Sequence, residues 1–121
     1  MLTGKFKSED DFKNKVMLPS FPRFQKDALQ HNLKLVRQVE EMAEEKGCTP
    51  AQLAINWVKS LSNHGGNGLI IPIPGSTALS RLQENSKNIE LTEEDMKNLR
   101  SLVDDFEPEG GRYPAGIPTD T

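Results

Sequence analysis

The segment 68–85, GLIIPIPGSTALSRLQEN, constrains the fold of this chain more than any other stretch. The aliphatic run 69–73 has the density of β-branched and aliphatic residues that is typical of a short strand covered on both faces. Pro72 and Pro74 cannot donate to a sheet ladder, so the chain is expected to leave the sheet there and enter a rigid loop. The segment therefore predicts one buried strand that leads directly into a helix.

The turn after this strand has groups that suit a phosphate. Gly75 is free to turn, and Ser76 is a good N-cap for a helix whose apolar residues Leu79 and Leu82 follow at helical spacing. The first N–H groups of such a helix have no partner within it and favour an anion. Arg81 lies within reach of the same anion and supplies a fixed positive charge.

Two polar residues follow one turn further along the same side of this predicted helix. Glu84 supplies acceptors, and Asn85 supplies an amide that suits the edge of a purine or a ribose. The alternative interpretation is structural, with Ser76 only a helix cap and Arg81 and Glu84 a solvated surface pair at helical spacing.

Helices account for most of the remaining chain. Residues 27–46 carry an apolar stripe at i, i+3 and i+4 spacing, and Gly47 follows as a C-cap. Thr49 and Gln52 form a capping box that starts a second helix, in which Trp57 is expected to anchor the core.

The C-terminal part of the chain contains one more helix and a tail. Thr92 and Asp95 form a second capping box ahead of an apolar stripe, which predicts a helix there. Its acidic first turn suits the helix dipole and needs no catalytic or metal-binding role. Residues 107–121 are rich in proline and glycine, which indicates an extended tail.

The composition excludes several classes of function. The chain has 121 residues and a net charge of −3, with acidic and basic residues interspersed, so no nucleic-acid partner is expected. It has neither an apolar run long enough to span a bilayer nor a basic amphipathic anchor, so no membrane partner is expected. The single cysteine, Cys48, fits a reducing compartment and predicts a cytoplasmic location. His31 and His64 lack further ligands at metal-binding spacing and are expected to be solvated, so no metal site is predicted.

Several motifs together resemble one enzyme family. The run 71–76, IPIPGS, and the RLxEN motif at 81–85 resemble the last strand and following helix of the aldo-keto reductases. Residues 2–5, LTGK, resemble the sequence after the family's seventh strand, and residues 48–58, CTPAQLAINWV, resemble a helix that packs outside its barrel. The RYP at 112–114 is similar to the tail of a microbial branch that includes pyridoxal reductase-like enzymes.

This resemblance implies an α/β fold, the (β/α)8 TIM barrel, of which this chain would be the C-terminal part. Such a barrel needs about 250 residues, whereas this chain has 121 and one predicted strand. We therefore expect an incomplete, mostly helical barrel in which 1–121 form one C-terminal segment and 107–121 its tail. The family's catalytic Asp, Tyr, Lys and His lie before the matched region, so no catalytic residue is assigned here.

The resemblance also implies a cofactor, NADP(H), because in the family the matched segment holds the adenosine 2′-phosphate and the adenine. Ser76 and Arg81 would bind the 2′-phosphate. Thr77 would make a backbone contact, and Glu84 and Asn85 would bind the adenosine.

Gly75 belongs to the same implied site but departs from the family pattern. Many family members have a lysine at this position, so the phosphate site would have one cation fewer, and NAD stays open as the alternative cofactor. Family tails fold over the barrel mouth and shape substrate choice, which makes Arg112 and Tyr113 candidates for packing on the substrate side. The implied substrate is a small-molecule carbonyl compound. Tyr113 matches the tail and not the family's proton donor.

The sequence thus predicts the C-terminal cofactor-binding segment of an NADP(H)-dependent aldo-keto reductase that reduces aldehydes or ketones to alcohols. The isolated chain, without catalytic residues, is expected to be inactive. Two alternatives remain open. The chain is a truncated product without activity, or it is an interaction protein that pairs with a partner chain supplying the missing strands.

Overall fold

The computed structural model describes residues 2–4, 6–12, 20–62, 64–114 and 116–117. Within these residues the regular secondary structure is helical, and no strand is present. The α-helices are α1 (Lys26–Glu45), α2 (Pro50–Ser60), α3 (Leu79–Asn85) and α4 (Glu93–Asp104), and two 3-10 turns span Glu9–Phe12 and Pro22–Phe24. Helix α1 packs against α2 and against the turn Pro22–Phe24, and α2 packs against α3.

Helix α1 confirms the prediction for residues 27–46. Its buried residues form the expected stripe, with one polar member: Leu29, Asn32, Leu33, Val36, Val39 and Ala43. The helix ends at the C-cap Lys46, and Gly47 beyond it has φ 67°. The N–H of Gly47 donates to Glu44 O at 3.0 Å and that of Cys48 to Ala43 O at 2.9 Å, so the end is a Schellman motif.

Both predicted capping boxes are present. In α2 the Gln52 N–H donates to Thr49 Oγ1 at 3.2 Å, and the Thr49 N–H donates to Gln52 Oε1 at 3.0 Å. In α4 the Asp95 N–H donates to Thr92 Oγ1 at 3.1 Å, and the Thr92 N–H donates to Asp95 Oδ2 at 2.7 Å. Each box satisfies two N–H groups that the start of a helix leaves without a partner.

The core consists of two clusters along α1. The first contains Leu29, Leu33 and Val36, with Phe6 and Phe24 packed against it. The second joins α1 to α2 and α4 through Val39, Ala43, Leu53 and Leu99. Trp57 packs against the second cluster, as predicted for a core anchor.

The predicted buried strand at 69–73 is wrong. Leu69, Ile71 and Ile73 are 74%, 71% and 91% exposed, and the segment forms no sheet ladder with the described residues. Ile70 is held by a side chain instead, since its N–H donates to Ser62 Oγ at 3.0 Å and its carbonyl accepts from the same hydroxyl at 3.1 Å. A strand exists only where a neighbouring strand pairs with it. The described residues contain no such neighbour.

The tail approaches helix α1. Residues 107–114 and 116–117 form neither helix nor strand, and 107–110 contact the N-terminal half of α1 and the turn Pro22–Phe24. The rest of the predicted tail, 115 and 118–121, lies outside the described residues.

Candidate functional site

The predicted phosphate-binding turn differs from the expected helix start. Helix α3 begins at Leu79, with Ala78 in an extended conformation as its N-cap and no side-chain cap. The predicted N-cap role of Ser76 is therefore wrong. Its Oγ instead donates to Ala78 O at 2.8 Å and accepts from the Ala78 N–H at 3.3 Å. A serine hydroxyl can satisfy the backbone two residues on in this way, which here delays the helix.

The residues of this turn face solvent. Gly75, Ser76 and Thr77 are all exposed, and a Cβ built at Gly75 meets nothing within 4 Å. Arg81 is also exposed, and it forms no ion pair with the described residues. The structure thus leaves the turn 75–77 and Arg81 accessible to solvent. None of these residues is buried, so their burial gives no support for a phosphate-binding role.

Glu84 has a structural partner that the sequence did not reveal. Its Oε1 accepts from Thr49 Oγ1 at 2.7 Å, and its carbonyl accepts from Gln52 Nε2 at 3.1 Å. The carboxylate therefore lies at the N-terminus of α2, where the helix dipole favours a negative charge. Asn85 is half-buried at the end of α3. The adenosine contacts predicted for these two residues stay predictions.

Polar side chains of helix α2 donate hydrogen bonds to the chain that follows α3. The buried Asn56 donates from Nδ2 to Lys87 O at 3.1 Å and to Gln52 O at 2.9 Å. Lys59 Nζ donates to Asn88 Oδ1 at 2.7 Å. The RLxEN segment is consequently fixed at its C-terminal end and open at its N-terminal end.

Arg112 and Tyr113, the residues predicted for the substrate side, line an apolar cavity of about 490 Å³. The Arg112 guanidinium carbon lies 5.3 Å from the centre of the Tyr113 ring, a cation–π distance. The Tyr113 ring lies 6.5 Å from that of Phe21. The remaining lining residues are Leu2, Phe21, Arg23, Phe24, Asn32, Leu35, Phe106 and Pro108. The cavity suits a small molecule with an apolar body.

Asn32 is the important residue of this region that the sequence interpretation missed. It is 2% exposed, and its side chain forms a paired contact with the tail. Nδ2 donates to Glu109 O at 2.9 Å, and Oδ1 accepts from the Glu109 N–H at 2.9 Å. Nδ2 also donates to Arg23 O at 3.2 Å. The sequence did carry a signal, since an asparagine inside the apolar stripe of α1 needs polar partners when it is buried.

His31 contacts the tail as well, so it is only partly solvated, with its side chain 30% exposed. Its Nδ1 lies 3.2 Å from Glu109 Oε1, and its Nε2 lies 3.0 Å from Glu107 O. The ring is also 5.0 Å from that of Phe106. The position of the tail, which lies more than seventy residues away in the chain, decides this environment.

The shifted acid–base groups have structural explanations. The Lys46 ammonium, followed by the Thr92 N–H, lowers the pKa of Asp95. Burial raises the pKa of the Cys48 thiol, which disfavours the thiolate needed for a nucleophile. Hydrogen bonds from the Lys7 and Ser8 N–H groups lower the pKa of Asp11. These shifts reflect caps and packing.

In the described part of the chain, no group of three or more His, Cys, Asp or Glu side chains is arranged to hold a metal ion. None of its helices combines the length and the apolar character that crossing a bilayer requires.

Comparison with known proteins gives consistent matches. The sequence model of the Aldo/keto reductase family matches residues 1–104. A Schizosaccharomyces pombe protein named Aldo-keto reductase yakc, with NADP(+) in its name, is 35% identical over 117 residues, which are 95% of this chain and 33% of that protein. An aldo-keto reductase of Gibberella moniliformis is 36% identical over 110 residues, which are 89% of this chain and 32% of that protein.

The chain spans about a third of the length of these two curated relatives. No solved structure matches it significantly.

Proposed function

Because this chain belongs to the aldo/keto reductase family, we propose that it is the C-terminal, cofactor-binding part of an NADP(H)-dependent oxidoreductase that reduces aldehydes or ketones to alcohols. The observation that carries the proposal is the 35% identity, over 95% of the chain, to a reductase whose name specifies NADP(+). The remaining strands of the proposed (β/α)8 barrel and its catalytic groups would come from outside this chain. A cytoplasmic location remains a prediction from the single Cys48.

In this proposal the segment 75–85 binds the adenosine end of the cofactor. NADPH supplies the hydride for carbonyl reduction when it is bound. Arg81, exposed and without an ion pair among the described residues, would bind the 2′-phosphate together with Ser76. The proposed contacts also include the backbone at Gly75 and Thr77. The residues fit a phosphate in charge and accessibility.

Glu84 and Asn85 would contact the adenosine. The Thr49 hydroxyl fixes Oε1 of Glu84, and a carboxylate retains acceptor capacity on its second oxygen. The proposed adenosine contact is therefore compatible with the structural one. Arg112 and Tyr113 would lie on the substrate side, at the apolar cavity.

A chimeric enzyme tests this function. The third of the S. pombe relative that this chain matches is replaced by this chain, and NADPH oxidation is followed with a panel of aldehydes and ketones. We expect carbonyl-dependent oxidation of NADPH by the chimera and none by the isolated chain. A folded chimera that binds neither NADPH nor NADH would refute the proposal. It would also favour the inactive-product alternative.

Arg81→Ala in this chimera tests the phosphate contact. Loss of a charge-assisted hydrogen bond, about 1.5–3 kcal/mol, is expected to weaken NADPH binding by roughly 10- to 100-fold. NADH has no 2′-phosphate, so its affinity is expected to change little. Fluorescence titration with both cofactors measures the difference. Arg100→Ala is the matched control, because Arg100 is exposed on α4 and pairs only locally, with Asp104. Equal weakening of NADPH and NADH binding would contradict the assignment.

One observation favours a second function, an interaction protein that binds a separate chain supplying the missing strands. Leu69, Ile71 and Ile73 alternate along a segment without regular secondary structure and are exposed, which matches an apolar surface that a partner chain would cover. Co-purification of a polypeptide carrying strands of the same family, in a fixed ratio with this chain, would support it.

A further inference from the structure

Several hydrogen bonds hold the tail against α1, and Asn32 lies at their centre. We define the tail clasp as Arg23, His31 and Asn32, whose side chains contact 107–110. Asn32 contributes three hydrogen bonds, two to Glu109 and one to Arg23 O. Arg23 Nε donates to Gly110 O at 3.0 Å. The turn Pro22–Phe24, helix α1 and the tail are thus joined through the buried amide of Asn32.

The tail and the turn approach each other closely at Gly110. This residue has φ +82°, and a Cβ built there lies 2.7 Å from the carbonyl carbon of Pro22. A side chain at this position would force the tail away from the turn. The clasp therefore depends on a backbone contact that only glycine permits.

The clasp also sets the distance between the walls of the apolar cavity. Phe24 in the turn and Phe21 beside it line the cavity from one segment. Phe106 and Tyr113, on either side of the clasped residues, line it from another. Because Asn32 bonds to both the turn and the tail, it fixes the position of one wall relative to the other.

We propose that Asn32 is a positioning residue, which holds the tail against the turn and thereby determines which carbonyl substrates the cavity admits. The part of this inference that concerns substrates rests on the proposed function, whereas the part that concerns the tail does not. Asparagine is suited to the role because it presents a donor and an acceptor side by side to the two backbone groups of one residue. An aspartate has the same shape but would direct oxygens at the carbonyls of Glu109 and Arg23.

Hydrogen exchange of the full chain, measured by mass spectrometry, tests the positioning of the tail. For Asn32→Asp we expect the Glu109 amide, whose N–H donates to Asn32 Oδ1, to exchange roughly tenfold faster, since losing buried hydrogen bonds raises the open population of the segment. Exchange within α4 should not change. Asn98→Asp, at an exposed position of α4, controls for the added charge. Unchanged exchange of the tail in a folded Asn32→Asp protein would overturn the proposal.

A second variant avoids altering the core. Gly110→Ala is expected to accelerate exchange of the tail to the same degree, because the methyl group meets Pro22. Gly116→Ala is its matched control, since Gly116 has φ +90° but nothing within 4 Å of a built Cβ. If Asn32→Asp unfolds the whole chain, Gly110→Ala and Gly116→Ala still test whether the tail is held against the turn. Equal exchange of the tail in these two variants would overturn the proposal.

Combining the variants tests whether they break one contact. The double variant Asn32→Asp/Gly110→Ala should accelerate exchange at the tail by less than the product of the two single effects, because residues that share one contact are coupled. Full additivity would show that the two residues act on the tail independently and would contradict a single shared contact.

The chimeric enzyme tests the effect on substrates. Asn32→Asp is expected to change KM among carbonyl compounds of different size by roughly tenfold, while the KM for NADPH stays constant. A fall in kcat for all substrates alike, with KM values unchanged, would contradict a role in specificity. A folded chimera that binds neither NADPH nor NADH would refute the proposed function, whereas the exchange measurements on the isolated chain still decide the role of Asn32 in the tail.

Discussion

Asp95 joins two helices through a single carboxylate. Its Oδ2 accepts from the Thr92 N–H at 2.7 Å and also pairs with Lys46 Nζ. Lys46 is the C-cap of α1, so the contact connects the end of α1 to the start of α4. The capping role was readable from the sequence, because the box lies within four residues. The partner Lys46 was not, because it lies 49 residues away.

This arrangement predicts how stability depends on pH. The folded-state pKa of Asp95 lies below its ordinary value of 3.8, so the carboxylate stabilises the fold fully above that value and loses the contribution as pH falls through the folded-state pKa. Asp95→Asn should lower the free energy of unfolding at neutral pH by about 1 kcal/mol and should flatten the loss of stability below about pH 4. Urea unfolding at a series of pH values measures both effects.

Asp105→Asn is the control for Asp95→Asn, since Asp105 lies at the exposed end of α4. An Asp95→Asn protein whose stability falls as steeply in acid as that of the unaltered chain would contradict the prediction.

The residues that bind the tail have partners that are distant in the chain. Asn32 occupies a stripe position of α1, where a buried polar side chain needs partners, but the sequence did not identify those partners. His31 lies off the stripe and looked solvated. The tail covers it, and no local spacing indicates where a tail folds.

At the level of elements, Thr49 connects α2 to α3. Its hydroxyl accepts from the Gln52 N–H within the capping box and donates to Glu84 Oε1 on α3. Gln52 repeats the connection by donating to Glu84 O. The two residues that cap the N-terminus of α2 therefore also attach the segment proposed to bind the cofactor.

Thr49→Val is expected to destabilise the chain by about 1–2 kcal/mol, since it removes an N-cap acceptor and leaves Glu84 without its hydroxyl donor. Thr49→Ser keeps the hydroxyl and should retain most of the stability. Urea denaturation monitored through Trp57 fluorescence compares the two variants. Equal losses in Thr49→Val and Thr49→Ser would show that the methyl group, and not the hydroxyl, matters at this position.

The elements differ in how well their sequences specify them. Helices α1, α2 and α4 were predictable because each has an apolar stripe, and α2 and α4 also have local caps. Helix α3 was predicted from Ser76 but begins at Leu79, because the Ser76 hydroxyl bonds to the backbone of Ala78 and competes with the helix start. The strand at 69–73 was wrong because strands, unlike helices, need distant partners.

At the scale of the whole molecule, the main feature is apolar surface that the described residues leave uncovered. Leu69, Ile71 and Ile73 are exposed in one segment, and Leu79 and Leu82 are exposed in α3. Exposed contiguous apolar residues mark surfaces that bind another segment or another molecule. The proposed incomplete barrel would account for them, since its missing strands would pack against these residues.

Ile73→Lys tests this interpretation. In the isolated chain Ile73 is 91% exposed, so its replacement should change the free energy of unfolding by less than about 0.5 kcal/mol and should reduce aggregation. In the chimeric enzyme the same change would place a charge in the proposed barrel and should prevent folding. Urea unfolding and light scattering measure the two cases.

Leu53→Lys is the control for a buried position, since Leu53 is 1% exposed, and it should unfold both proteins. Tolerance of Ile73→Lys by the chimera would contradict the proposed barrel position of this segment.

The sequence by itself determined the family, because the motifs at 2–5, 48–58, 71–76 and 81–85 all lie within residues 1–104, which the family model matches. It also determined three helices and their caps, because those depend on hydrogen bonds and apolar spacing within a few residues. Only the tertiary structure decided that Glu84 binds Thr49, that Asn32 and His31 hold the tail, and that 69–73 stays exposed. Each of these depends on which distant segments come together, and contacts across long stretches of chain leave no local pattern in the sequence.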